Sequence, residues 1–191
     1  MNKKNILKKL EDDNHYYGKF GKTFLSNSDI GTLLSNPLGL GSEVKSSPAI
    51  IIGRYFHTAL LEPEKLKDFK VIAAATRNTK VYKEQSEGEL CILQSEVEMV
   101  KSMTTKILNT QMCKDLINKK NCEYEVPMIT ELFGNKWKGK ADVVNNEEEL
   151  VIDLKTTADI NKFRTSAFRY NYDSQAYIYN KLFGYDFIFI V

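Results

Sequence analysis

Residues 150–155 read Leu-Val-Ile-Asp-Leu-Lys, an apolar run broken by two opposite charges at alternate positions. An extended strand projects residues i and i+2 to one side, so Val151, Asp153 and Lys155 share one face and Leu150, Ile152 and Leu154 the other. The apolar face predicts a core contact. The charged face requires either water or a chemical role.

Trp137 to Val144 also has strand character, and Asn145-Asn146-Glu147-Glu148 is the polar break of a hairpin. With Glu147 and Glu148 as a two-residue loop, Asp142 falls directly across the ladder from Asp153. Like charges facing each other at about 4.5–5.5 Å between Cβ atoms repel. A hard divalent ion such as Mg²⁺ relieves this, because it binds through one or two carboxylates plus waters and phosphate oxygens. Lys155 on the same face is then placed to polarise a water or neutralise charge on a phosphate. That reading is metal-assisted phosphodiester hydrolysis. The same three residues also fit an exposed hairpin whose charges face solvent, and the D-x-K spacing alone does not separate the two.

The 191 residues, 42% of them hydrophobic, suffice for one sizeable core. A peripheral arm is expected over residues 1–25 and one catalytic domain over residues 26–191. The net charge of +2 is only mildly basic, so a nucleic-acid path would be a local patch. Cys91, Cys113 and Cys122 lack a C-x-x-C spacing, which argues against a disulfide framework and a zinc or iron–sulfur site. No run approaches the ~18–20 apolar residues of a membrane span, and the Lys-rich start lacks the apolar stretch of a secretory signal. A cytoplasmic location with no membrane partner is the expectation.

The periodicities predict a charged helix over 2–13, a short helix capped by Ser28 and ended by Asn36-Pro37, and a helix over 49–61 carrying His57. Residues 69–73 read as a short strand. Residues 76–88 read as a polar irregular stretch whose Arg77, Lys80 and Lys83 are available to phosphates or to water. A long amphipathic helix is expected over 89–108. Strands over 124–132, 137–144 and 149–155 form a meander with a turn at Phe133-Gly134-Asn135, followed by helices over 160–168 and 172–183 and a strand over 185–191. The fold class is α+β, a central mixed sheet flanked by helices.

Taken in order, Gly139-Lys140-Ala141-Asp142, Val151-Ile152-Asp153-Leu154-Lys155-Thr156-Thr157 and Gln175-Ala176-Tyr177-Ile178-Tyr179 resemble the PD-(D/E)xK nuclease superfamily, in particular its RecE-like (exonuclease VIII-like) phage and prophage branch. The stretch Gly53 to Pro63 resembles that branch's histidine-bearing helix, and Ser26 to Pro37 is similar to the start of such domains. One departure is Ala141, where the family has a proline; it removes a rigid element and no ligand.

The resemblance implies a restriction-endonuclease-like fold and a Mg²⁺-dependent deoxyribonuclease, with Mn²⁺ able to substitute. It implies a 5′-to-3′ exonuclease acting on linear duplex DNA. Asp142, Asp153 and His57 would hold the ion and the carbonyl of Leu154 would add a ligand. Lys155 would assist the nucleophilic water, and Gln175 and Tyr179, one helical turn apart, would flank the site. Glu123 or Glu125, with Glu125 preferred, would orient a water or bind a second ion. Lys138, Lys140 and Arg54 are the candidate DNA contacts. A single-strand annealing protein and homo-oligomerisation are implied by kinship alone. The alternatives are a DNA-binding module of the same fold that has lost catalysis, and a single-strand or structure-specific nuclease. Related domains continue where this chain stops, at Val191, so a domain truncated at its C-terminus is a further expectation.

Overall fold

The computed structural model describes residues 1–42, 46–117, 120 and 122–191. In chain order the helices are α1 (Lys3–Leu10), α2 (Asp13–Tyr16), α3 (Asn27–Ser35), α4 (Pro48–Leu61), α5 (Lys80–Ser86), α6 (Gln94–Asn109), α7 (Gln111–Ile117), α8 (Phe163–Arg169) and α9 (Tyr172–Phe183). The strands are β1 (Val71–Ile72), β2 (Ile92–Leu93), β3 (Cys122–Leu132), β4 (Asn135–Asn145), β5 (Leu150–Leu154) and β6 (Asp186–Ile190). The chain divides into two compact units, Met1–Glu43 with Lys119–Val191, and Val44–Asn118. The architecture is α+β, with a mixed central sheet flanked by helices, as a restriction-endonuclease-like core requires. Among the described residues, no helix is long and apolar enough to cross a membrane.

The first unit is built on a four-stranded sheet in the order β3-β4-β5-β6. β3, β4 and β5 form an antiparallel meander, and β6 lies parallel to β5 after the crossover through α8 and α9. The β3–β4 hairpin turns on Phe133 and Gly134, both at positive φ (54° and 70°), as a mirror-image two-residue turn demands. The β4–β5 connection takes four residues rather than two, because Asn145↔Leu150 is the last ladder pair. Its register, Val143↔Ile152 and Val144↔Val151, is nonetheless the one that a loop centred on Glu147 and Glu148 imposes. Asn145 Oδ1 accepts from the Glu148 N–H at 3.1 Å and Glu149 turns the chain at φ 51°.

Both faces of β5 are buried: Val151, Ile152 and Leu154 are all 0% exposed and Asp153 is 4% exposed. Of the two readings of the charged face, the exposed hairpin with its charges in solvent does not describe Asp153. Val151 belongs to a cluster with Trp137, Ala141, Ile178, Tyr179 and Leu182, so α9 lies against the sheet. Gly139 is small for the same reason. A Cβ there would stand 2.5 Å from Leu182 Cδ1 and 3.2 Å from the Tyr179 ring.

Residues 1–25, expected as a peripheral arm, are tied into this unit. Leu10 is fully buried, and Tyr16 and Phe24 are nearly so. Because β5 is shorter than β4, one edge of β4 is open along its first half. Leu25 bridges to Trp137 there, its N–H donating to Lys136 O (2.9 Å) and its carbonyl accepting from Lys138 N–H (2.8 Å). The cap of α3 is Ser26 and not Ser28: Ser26 N–H donates to Asp29 Oδ2 at 2.7 Å, closing a capping box.

In the second unit, α4 starts with Ser47 as its cap and Pro48 at its first position, where the missing N–H costs nothing. The helix expected from residue 89 begins at Gln94, since Ile92–Leu93 instead pair in parallel with Val71–Ile72. Arg77, offered to phosphates by the sequence, is turned inward. Its guanidinium holds both Glu96 carboxylate oxygens at 2.6 Å and donates to Cys91 O at 3.1 Å. Tyr82 is buried on α5, its hydroxyl accepting from Cys91 N–H (2.8 Å) and donating to Cys91 O (3.1 Å). Arg77 and Tyr82 thus serve as scaffold, and the stretch expected to be irregular forms helix α5, which leaves Lys80 and Lys83 exposed.

Candidate active site

Asp142 sits on β4 and Asp153 on β5, with 9% and 4% of their surfaces exposed. The register Val143↔Ile152, continued by one residue, sets them opposite each other. Asp142 Oδ2 accepts the Leu154 backbone N–H at 2.7 Å, which holds this carboxylate at the end of the β4–β5 ladder. Asp153 Oδ1 accepts from Gln175 Nε2 at 2.5 Å, and its Oδ2 lies 2.5 Å from the Lys155 ammonium. Gln175 reaches down from α9, and Lys155 follows β5 with 19% of its side chain exposed.

Glu125 and Glu123 part company on β3. Glu123 is exposed and accepts from Asn146 Nδ2 at 2.7 Å. Glu125 is half-buried and brings a carboxylate oxygen within 4.8 Å of one on Asp142. Its φ is 52°, left-handed in the middle of a strand whose register is the same on both sides. A non-glycine residue there costs of order 1–3 kcal/mol, and such strain gathers at functional positions.

Tyr179 is buried on α9 and donates from its hydroxyl to Lys140 O at 3.0 Å, fixing the helix to β4. Burial pushes its phenol well above the ordinary value, and nearby Tyr16, Asp153 and Asp142 add to the shift. Leu154, whose carbonyl is a candidate ligand, is fully buried.

Lys138 and Lys140 are not on an open surface; they are 6% and 8% exposed. The Lys138 ammonium donates to Tyr16 O, and Lys140 pairs with Asp13 at 2.5 Å. Both cations stand over the Tyr16 ring, at 4.0 and 4.7 Å from its centroid. Burial lowers the Lys138 pKa to about 8.

In the second unit, His57 is half-buried on α4 with its ring edge-on to Phe56. Arg54 on the same helix is exposed and lies 5.8 Å from the Phe69 ring.

Sequence reasoning did not single out Tyr16, Asp13 or Tyr172. The first two meet β4 across more than a hundred residues of chain and left no local signal. Tyr172 was findable, since it stands three and seven residues before Gln175 and Tyr179 and so lies on their side of α9. Its ring centroid is 4.9 Å from the Lys155 ammonium.

The chemistry of this donor set suits a hard divalent cation. Glu125 and Asp142 offer oxygen atoms close enough for an ion with metal–oxygen distances of about 2.0–2.6 Å to bridge with small adjustment, in a largely buried setting. A cationic amine and an amide lock the third carboxylate.

A family model described as a PDDEXK-like domain of unknown function (DUF3799) matches residues 34–187. Among solved structures, a “Putative exonuclease” from Eubacterium rectale superposes with a TM-score of 0.62 at 17% identity, covering 93% of this chain and 70% of that one. At that identity the likeness is one of fold. A structure described as SSO0001 matches at 21% identity over 78% of this chain and 65% of that one, with a TM-score of 0.32, which carries no argument. No curated protein matches by sequence.

Proposed function

The chain belongs to the family of PDDEXK-like domains, and from that premise we propose that it is a Mg²⁺-dependent deoxyribonuclease, a 5′-to-3′ exonuclease acting on linear duplex DNA. The observation that carries the reading is the convergence of Glu125 with Asp142 at the end of the β4–β5 ladder, where Asp142 lies opposite Asp153 and Asp153 contacts Lys155. An exposed hairpin has no reason to bury these charges, because taking a carboxylate out of water is costly.

Asp142, Asp153 and Glu125 would hold the ion with the Leu154 carbonyl as a further ligand, and His57 is the ligand that the RecE-like resemblance adds. When bound, Mg²⁺ supplies Lewis-acid stabilisation of phosphate charge and a water of lowered pKa. Asp142 is oriented for this by the Leu154 N–H, and Asp153 by Gln175. Lys155 keeps a cation beside Asp153, where it neutralises charge that builds on a phosphate oxygen. Tyr179 holds β4 against α9 and so keeps the carboxylates at their spacing. Of the three proposed DNA cations, Arg54 is the exposed one. Lys138 and Lys140 act on DNA only if residues 13–16 give them up.

The polarity and the duplex preference rest on the RecE-like resemblance. They are tested with 5′- and 3′-labelled linear duplex, circular duplex and single strands, with and without Mg²⁺. Release of 5′ label from linear duplex supports the reading, and cutting of circles contradicts it.

A further inference from the structure

Between β5 and α9 the chain carries a segment anchored through Phe163, whose ring meets those of Tyr172 and Phe189 at 5.8 and 6.1 Å. Helix α8 buries none of its residues, and Phe168 and Tyr170 are 69% and 55% exposed. Tyr170 connects through Tyr172 to the candidate site, and exposed rings that continue into such a site mark a binding surface. Lys162, Arg164 and Arg169 lie on the same segment, all exposed, against the single acid Asp159. Arg169 approaches the Tyr170 ring, its guanidinium carbon 5.7 Å from the centroid.

Tyr170, Tyr172 and Phe189 form a continuous track. Tyr170 and Tyr172 stand 6.0 Å apart with their planes 32° from parallel, and Tyr172 and Phe189 stand 5.2 Å apart at 36°. Tyr172 in turn lies under the Lys155 ammonium, which touches Asp153. The track therefore runs from solvent at Tyr170 to the amine of the candidate site, and Arg169 stands at its outer end.

Cations alone suit duplex phosphates. Exposed rings interleaved with cations suit unpaired bases, whose faces are open to stacking while their phosphates are neutralised alongside. We propose that residues 160–172 are a single-strand guide, on which the bases of a frayed or unpaired DNA end stack against Phe168 and Tyr170 while Arg164 and Arg169 take its phosphates, delivering the strand past Tyr172 to Lys155. The proposal deepens the nuclease reading and rests on it for the identity of the site at the end of the track.

The test is fluorescence anisotropy of the full chain with a labelled thymidine oligonucleotide, in EDTA so that no cleavage intervenes, alongside a blunt duplex of equal length. Phe168→Ala and Tyr170→Ala each weaken single-strand binding at least about fivefold, with a much smaller effect on the duplex, while Tyr170→Trp retains it. Arg164→Gln and Arg169→Gln each reduce the slope of log affinity against log salt by about 0.7. Both rings are exposed, so the alanine variants keep the fold, as circular dichroism verifies.

Absence of single-strand binding by the wild type, unchanged affinity in the double alanine variant, or an equal loss on the blunt duplex overturns the guide. So does a change in sedimentation with unchanged DNA affinity, which would assign the face to a second copy. Ring-dependent binding in a protein that cuts no DNA with Mg²⁺ would overturn the nuclease reading and leave the guide standing.

Discussion

Gln175 donates its side-chain amide to Asp153 Oδ1 at 2.5 Å, so a helix residue 22 positions further along the chain orients the carboxylate on β5. The contact is buried at both ends, with Gln175 and Asp153 8% and 4% exposed. It divides the labour on Asp153: one oxygen is set by an amide, the other by the Lys155 amine.

Gln175→Ala removes this orientation without removing a proposed ligand. Partners of this kind typically cost 10–100-fold in metal affinity or activity when deleted. The expected outcome is a kcat lower by about that factor and a raised Mg²⁺ requirement, read from initial rates across a Mg²⁺ titration. An unchanged Mg²⁺ profile would make Gln175 a packing residue.

Glu125 occupies a backbone conformation that glycine adopts freely. Glu125→Gly therefore stabilises the fold by about 1 kcal/mol in chemical denaturation through relief of strain, set against some loss of unfolded-state restriction. It also abolishes most nuclease turnover, because the carboxylate beside Asp142 is gone. A variant that is both less stable and fully active would contradict the functional account of the strain.

Lys138 has its pKa lowered by burial from 10.5 to about 8, with Asp29 opposing the shift and Lys140 and Lys22 adding to it. Between those two values the unfolded chain binds the proton that the folded chain has released, so this group makes stability rise with pH across that window. Below about pH 8 the buried ammonium is charged in both states and its desolvation opposes folding. Thermal melts of wild type and Lys138→Met from pH 7.5 to about pH 10 should differ in slope, with the rise present in the wild type alone.

Gly139→Ala drives a methyl group into Leu182 and the Tyr179 ring. Overpacking of this kind costs typically 1–3 kcal/mol, and here it also separates α9 from β4. Urea denaturation should show the loss, and turnover should fall with it because Tyr179 ceases to fix the Lys140 carbonyl.

Much of the sheet was legible because its signals are local. Phe133-Gly134 and Glu147-Glu148 specify turns, the turns specify register, and the register sets Asp142 against Asp153. The C-terminal helix and strand followed from periodicity, and the helix expected from residue 160 opens as a 3-10 turn capped by Asp159 before α8 begins at Phe163. What stayed hidden was long-range. Nothing near Lys138 or Lys140 announces that Tyr16 and Asp13 will cover them, and nothing near Arg77 points to Glu96. The left-handed Glu125 was invisible as well, since its neighbours read as ordinary strand and only tertiary structure holds a non-glycine residue there. Burials of charge at Lys138, Lys140, Asp142 and Asp153 run against the rule that charged strand positions face water, and all four lie on the two strands that carry the candidate site.

The central claim is that Asp142, Asp153 and Lys155 act together on a DNA phosphate with a divalent ion. It is tested most directly by acid-soluble nucleotide release from linear duplex DNA with Mg²⁺, with EDTA, and with the Asp153→Asn variant in Mg²⁺. The account predicts release by the wild type in Mg²⁺ and none in the other two. Equal release by Asp153→Asn, or no release by the wild type with either Mg²⁺ or Mn²⁺, would contradict it.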